Sequence, residues 1–91
     1  MLKKEFTIVN KLGLHARAAA VLVQLAGNFS SEITISKGKL TINCKSIMGV
    51  LMLAAAQNST ITVEVVGEDE QAALEALGEL IKDGFGELDG S

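Results

Sequence analysis

Each regular stretch of this 91-residue chain has an apolar side and a polar side, which restricts it to layers that share one core. Leu2 to Val9 alternates, with Lys4, Phe6 and Ile8 on one side and Lys3, Glu5 and Thr7 on the other, until Asn10 to Gly13 breaks the pattern. That spacing predicts a strand followed by a loop. From Ala16 the chain is alanine-rich, and Ala19, Leu22, Val23 and Ala26 share one helical face before Gly27 and Asn28, predicting a helix over about 16–27. Glu32–Ser36 and Leu40–Asn43 read as strands joined through Lys37, Gly38 and Lys39, a hairpin in which glycine permits the tight turn.

Ser46 then opens a short helical segment, Ile47–Leu53, as its N-cap, and Gln57, Asn58 and Ser59 form a polar loop. Thr60–Val66 sets Ile61, Val63 and Val65 against Thr60, Thr62 and Glu64, a further strand that stops at Gly67. The last helix begins near Asp69 or Glu70, with acids at its positive end, and carries Ala73, Leu77, Leu80 and Ile81 toward the core. It stops around Gly84, and residues 87–91 read as a frayed tail. The order is β-α-β-β-α-β-α, an α+β domain spanning 1–91 with helices on one side of a single sheet. Several strand arrangements satisfy that order, ferredoxin-like ones included.

Other properties bound the function. No apolar run approaches the roughly 20 residues of a membrane span, and Met1 to Glu5 turns polar too soon for a signal peptide, so a cytoplasmic protein with no membrane insertion is expected. Cys44 is the only cysteine, which leaves no disulfide framework and no cysteine cluster for a metal, and predicts a buried thiol. No metal and no cofactor is expected. Residues 1–47 hold seven Lys or Arg against Glu5 and Glu32, a net of +5, whereas residues 48–91 set Lys82 against nine acids, a net of −8. A cationic region around His15 would favour an anionic group or an acidic protein partner. Nucleic acid is a poor partner for an acidic chain that lacks Tyr and Trp and whose basic residues are scattered.

His15 lies just ahead of the first predicted helix, Arg17 follows two residues later, and the motif Gly13-Leu14-His15-Ala16-Arg17 contains no carboxylate. The free N–H groups of a helix's first turn receive phosphate oxygens, and an arginine adds a charge-assisted hydrogen bond. The same helix end disfavours imidazolium, which leaves a ring nitrogen free to attack phosphorus. Residue chemistry alone also fits a solvated turn histidine.

The motif and the alanine-rich helix after it resemble the active-site signature of the HPr phosphocarrier family. A second block, Asn43-Cys44-Lys45-Ser46-Ile47-Met48-Gly49-Val50, resembles that family's regulatory serine region, and the similarity runs from about residue 2 to residue 86. The resemblance implies an open-faced β-sandwich with a four-stranded antiparallel sheet in order 1-4-2-3 and three helices on one face. It implies a monomeric carrier in a phosphoenolpyruvate-dependent phosphotransferase system, not a stand-alone catalyst. Enzyme I would phosphorylate Nδ1 of His15 with Arg17 assisting, and EIIA-type domains would receive the group in sugar uptake or its regulation. The exposed part of the second helix (Ile47, Met48 and Leu51) and Ala16, Ala20 and Gln24 on the first would form a docking patch.

The family commonly has proline where this chain has Ala18, a good helix former that should preserve the helix start while leaving the His15 loop less rigid. Ser46 needs no function beyond its cap, yet its flanks resemble those phosphorylated by an ATP-dependent HPr kinase/phosphorylase. A phosphate there would add about −1.5 to −2 charges on the face used by acidic partners and slow His15 phosphorylation. Two alternatives stand beside the sugar carrier. Val50 to Ala54 resembles nitrogen-branch, NPr-type carriers, and an adaptor controlled by Ser46 phosphorylation is the other, although serine-only members usually lack the histidine.

Overall fold

The alternating stretches form strands, and their pairing collects the apolar sides on one face. The computed structural model describes residues 1–88. Its elements are β1 (Leu2–Thr7), α1 (Ala16–Ala26), β2 (Glu32–Lys37), β3 (Leu40–Asn43), α2 (Ile47–Met52), β4 (Thr60–Val66) and α3 (Glu70–Lys82), followed by a 3-10 turn at Gly84–Gly86. The sheet is antiparallel throughout, in order β1-β4-β2-β3.

Register explains how the core closes. Phe6 lies opposite Ile61, Ile33 opposite Val65, and Ile35 between Val63 and Ile42. All but the half-buried Ile42 are removed from water, and each such side chain contributes about 1.5–3 kcal/mol. Their neighbours Thr34, Thr62 and Glu64 keep partial access to solvent on the opposite face. Ala18, Ala19, Leu22 and Ala26 from α1 and Ala73, Leu77 and Ile81 from α3 cover the apolar face. At Gly78 a Cβ would come within 2.9 Å of the Phe6 ring. Glycine there costs α3 about 0.5–1 kcal/mol of intrinsic propensity and lets the helix backbone approach the ring.

The regular elements match their predicted spans to within two residues. The C-terminal segment does not: Glu87 is ordered and largely buried, with hydrogen bonds to residues at the opposite end of the sequence. Periodicity carries no information about an irregular return of this kind. The remainder of the predicted tail, residues 89–91, lies outside the described residues.

A further contact fixes the layers. Asp69, at the N-cap position of α3, makes no side-chain cap of its own helix. It accepts from the N–H groups of Ser30 at 2.8 Å and Ser31 at 3.0 Å and from the Ser31 hydroxyl, tying α3 to the start of β2. That hydroxyl foremost, with the two N–H groups, holds the Asp69 carboxyl down at about 2. Cys44 is fully buried, and burial pushes its thiol up to about 12 against the opposing charge of Lys45.

Candidate functional site

The loop before α1 is shaped by close backbone contact. Gly13 adopts φ +65°, and a Cβ on it would collide with the Ala55 carbonyl oxygen. With no side chain there, the loop lies against residues 55–56, and the Leu14 N–H donates to that oxygen at 2.9 Å. Leu14 is buried, so the chain is anchored immediately before His15.

His15 is the N-cap residue of α1, extended at φ −75° and ψ 178°. Its C=O accepts the Ala19 N–H at 2.8 Å, the first hydrogen bond of the helix. The N–H groups of Ala16, Arg17 and Ala18 precede that bond and have no acceptor within the helix. Ala18 therefore keeps the helix start, and as a non-proline residue it also keeps an N–H. Its side chain is completely buried. The imidazole does not cap the helix; it turns toward the C-terminal segment.

That segment returns through three successive residues of positive φ: Gly84 at +65°, Phe85 at +58° and Gly86 at +79°. The conformation is unfavourable for phenylalanine and is sustained by burial of its ring, which is 5% exposed. The turn packs against α1 and α3 and delivers Glu87 to the imidazole. Glu87 Oε2 lies 2.6 Å from His15 Nε2, and Oε1 accepts from Asn10 Nδ2 at 2.8 Å.

The same Asn10 nitrogen donates to the Gly13 C=O at 2.9 Å. Both of its partners are acceptors, so the Asn10 amide can present only its NH₂ to them. Asn10 is completely buried, and its Oδ1 has no hydrogen-bond partner among the described residues. Burial pushes the Glu87 carboxyl up, but the hydrogen bonds from Asn10 and His15, with the charge of Arg17 and that of His15 when it is protonated, outweigh it and hold the carboxyl below its ordinary value.

Arg17, in the first turn of α1, is exposed, and among the described residues no carboxylate is in ion-pair contact with it. Ser46 lies at the second helix start, exposed, with its Oγ accepting the Gly49 N–H at 3.2 Å. Of the remaining sequence candidates, Ala16 and Gln24 are exposed and Ala20 is half-buried on α1. On α2, Ile47 is exposed and Met48 more so, at 67%, while Leu51 is half-buried against the core. The two helices pack together, which brings these residues to neighbouring elements.

Sequence reasoning missed two participants, Asn10 and Glu87, and passed over two exposed apolar residues. Leu12 and Met52 are exposed apolar residues, Met52 lying one turn beyond Met48. Asn10 and Glu87 hold the imidazole and its loop. The available signal for Glu87 was Phe85, an aromatic residue between two glycines in a segment otherwise read as a tail. Among the described residues no group of three or more His, Cys, Asp or Glu side chains is placed to hold a metal ion. No helix among them is long and apolar enough to cross a membrane.

Comparison with known proteins identifies the family and the fold. A family model described as the PTS HPr component phosphorylation site matches residues 2–83. The phosphocarrier protein HPr of Cupriavidus necator is 56% identical over 87 residues, spanning 96% of this chain and 98% of that protein. The phosphocarrier protein NPr of Shewanella violacea is 45% identical over 86 residues, 94% of each. A crystal structure of HPr-C-His from Thermoanaerobacter tengcongensis superposes with a TM-score of 0.92 at 44% identity, covering 96% of this chain and 98% of that one.

Proposed function

The chain belongs to the PTS HPr family of phosphocarrier proteins, and from that premise we propose that it takes a phosphoryl group onto Nδ1 of His15 from phosphorylated enzyme I and passes it to EIIA-type domains. It works in the cytoplasm as a carrier, with the donor and acceptor proteins completing the catalytic surroundings at each step. The observation that carries this reading is the position of His15: a partly exposed imidazole at the head of α1, beside three first-turn N–H groups and Arg17.

Those groups answer what transfer requires. Phosphoryl oxygens arriving at Nδ1 meet N–H donors and the positive end of the helix, and Arg17 adds a full charge. Exposed positions on α1 and α2 (Ala16, Gln24, Ile47 and Met48), with Ala20 and Leu51 at their margins, supply the docking surface. Methionine suits a surface that meets several partners in turn, because its side chain repacks readily. Ser46 is accessible to a kinase of the HPr kinase/phosphorylase type, and its phosphate would oppose docking of an acidic partner.

The test is direct. Enzyme I and phosphoenolpyruvate should place one acid-labile phosphate on the chain, and His15→Ala should abolish it. Labelling that persists in the variant would overturn the assignment.

Between the two branches, the sugar reading draws on the 56% identity to an HPr and on the residues around Ser46. The nitrogen reading draws on the NPr relative and on Val50 to Ala54. Offering the phosphorylated chain to a sugar-specific EIIA and to a nitrogen-related EIIA separates them, since the faster acceptor identifies the branch.

A further inference from the structure

Glu87 lies beyond residues 83, where the family match ends, yet it touches the proposed phosphoryl acceptor. We infer that Glu87 is a positioning residue for the relay: its carboxylate, oriented by Asn10, holds His15 in the tautomer with the proton on Nε2 and leaves Nδ1 free for phosphorus. The inference rests on the reading of His15 as the carrier.

A neutral imidazole has one N–H and one lone pair, and the partner of either nitrogen decides which is which. An ionised carboxylate accepts and cannot donate. At 2.6 Å, Glu87 Oε2 is therefore satisfied only by an Nε2–H, and the lone pair falls to Nδ1. The carboxylate's direction is fixed from behind. Its second oxygen is held by Asn10, a buried side chain that simultaneously secures the Gly13 carbonyl two residues before His15. One asparagine thus sets both the loop that carries the ring and the acid that sets its proton.

The same arrangement serves the transfer. As the Nδ1 lone pair forms its bond to phosphorus, the P–N bond of the donor phosphohistidine breaks and its electron pair leaves with the donor nitrogen. The His15 ring keeps its Nε2 proton throughout and gains one positive charge, which faces the Glu87 carboxylate. Passing the group on reverses these changes, with the acceptor's nitrogen attacking phosphorus and the His15 ring returning to neutrality. No proton has to enter or leave the site in either direction, and the charge partner is already in place.

Glu87→Gln distinguishes this role from simple packing. Asn10 can donate only to the glutamine carbonyl, so the new NH₂ faces His15 Nε2. That nitrogen must then accept, which moves the ring proton to Nδ1, the atom that has to attack. In the full chain carrying ¹⁵N-labelled histidine, NMR of the neutral ring is expected to show Nε2–H in the parent and Nδ1–H in the variant. The initial rate of acid-labile labelling by enzyme I should fall about tenfold or more. Nδ1–H in the parent ring would overturn the inference, and this measurement does not depend on how the variant folds. So would a variant that folds like the parent and is labelled at the parent's rate. A parent that acquired no acid-labile phosphate would instead overturn the carrier reading, while the tautomer measurement would still report on Glu87.

Discussion

The starts of α1 and α2 each present a residue able to carry phosphate, and they treat their first-turn N–H groups in opposite ways. At α2, Ser46 bonds its own helix through the Gly49 N–H. At α1, His15 bonds Glu87 instead and leaves the N–H groups of Ala16, Arg17 and Ala18 ahead of the first helical bond. A serine cap places the side chain at work in folding before any modification. A histidine at the same position, drawn aside by a carboxylate from the far end of the chain, leaves the first-turn donors without a side-chain cap. The contrast separates a helix start that its own side chain caps in part from one whose first-turn N–H groups receive no side-chain cap.

Removing the cation from the open start should have the largest effect. Arg17→Ala is expected to lower the initial rate of His15 labelling about a hundredfold, by analogy with loss of one preorganised donor. The residue is exposed, so thermal unfolding should barely change. A labelling rate equal to the parent's would mean that the N–H groups suffice alone.

Adding charge at the closed start comes next. Ser46→Asp should slow labelling of His15 about tenfold, through repulsion of an acidic partner, and added salt should shrink the difference. If the slowing were the same at all salt concentrations, repulsion would not be its cause.

Deleting the closed start's hydroxyl gives a smaller change of a different kind. Ser46→Ala should lose about 1 kcal/mol in denaturant unfolding, the ordinary contribution of an N-cap. No loss would show that α2 draws nothing from its cap.

The third helix start sharpens the comparison at low pH. Asp69 titrates at about 2 in the folded chain and near 3.9 when unfolded, so its contribution is complete above about pH 4 and disappears as pH falls through 2. Asp69→Asn should be less stable than the parent at neutral pH, and the gap should close toward pH 2. A gap unchanged by acid would exclude the carboxylate as its origin.

How much of this was legible before the fold was known depends on where a residue's partners lie. Phe6, Ile33, Ile35, Ile61, Val63 and Val65 announce their strands and their shared face because alternation is a local property. Ser46 announces its cap for the same reason, its partner being three residues away. Sheet order is another matter: alternation states which side of a strand is apolar and says nothing about its neighbour, so β1-β4-β2-β3 was available only through family resemblance. His15 and Arg17 stood out as residue types with suitable spacing. Their companions did not, since Glu87 reaches His15 across 72 positions through a segment with no periodicity. Asn10 resembles an ordinary loop asparagine until the two acceptors around its NH₂ are seen.

The buried thiol of Cys44 has a practical consequence. With its ionisation pushed up to about 12, only about one molecule in 10⁵ would carry a thiolate at neutral pH. Thiol-directed dyes and spin labels should leave the folded parent chain untouched. A single cysteine introduced at Gln24 or Met48 would then be the one reactive thiol, so partner docking could be followed by fluorescence without first engineering a cysteine-free background.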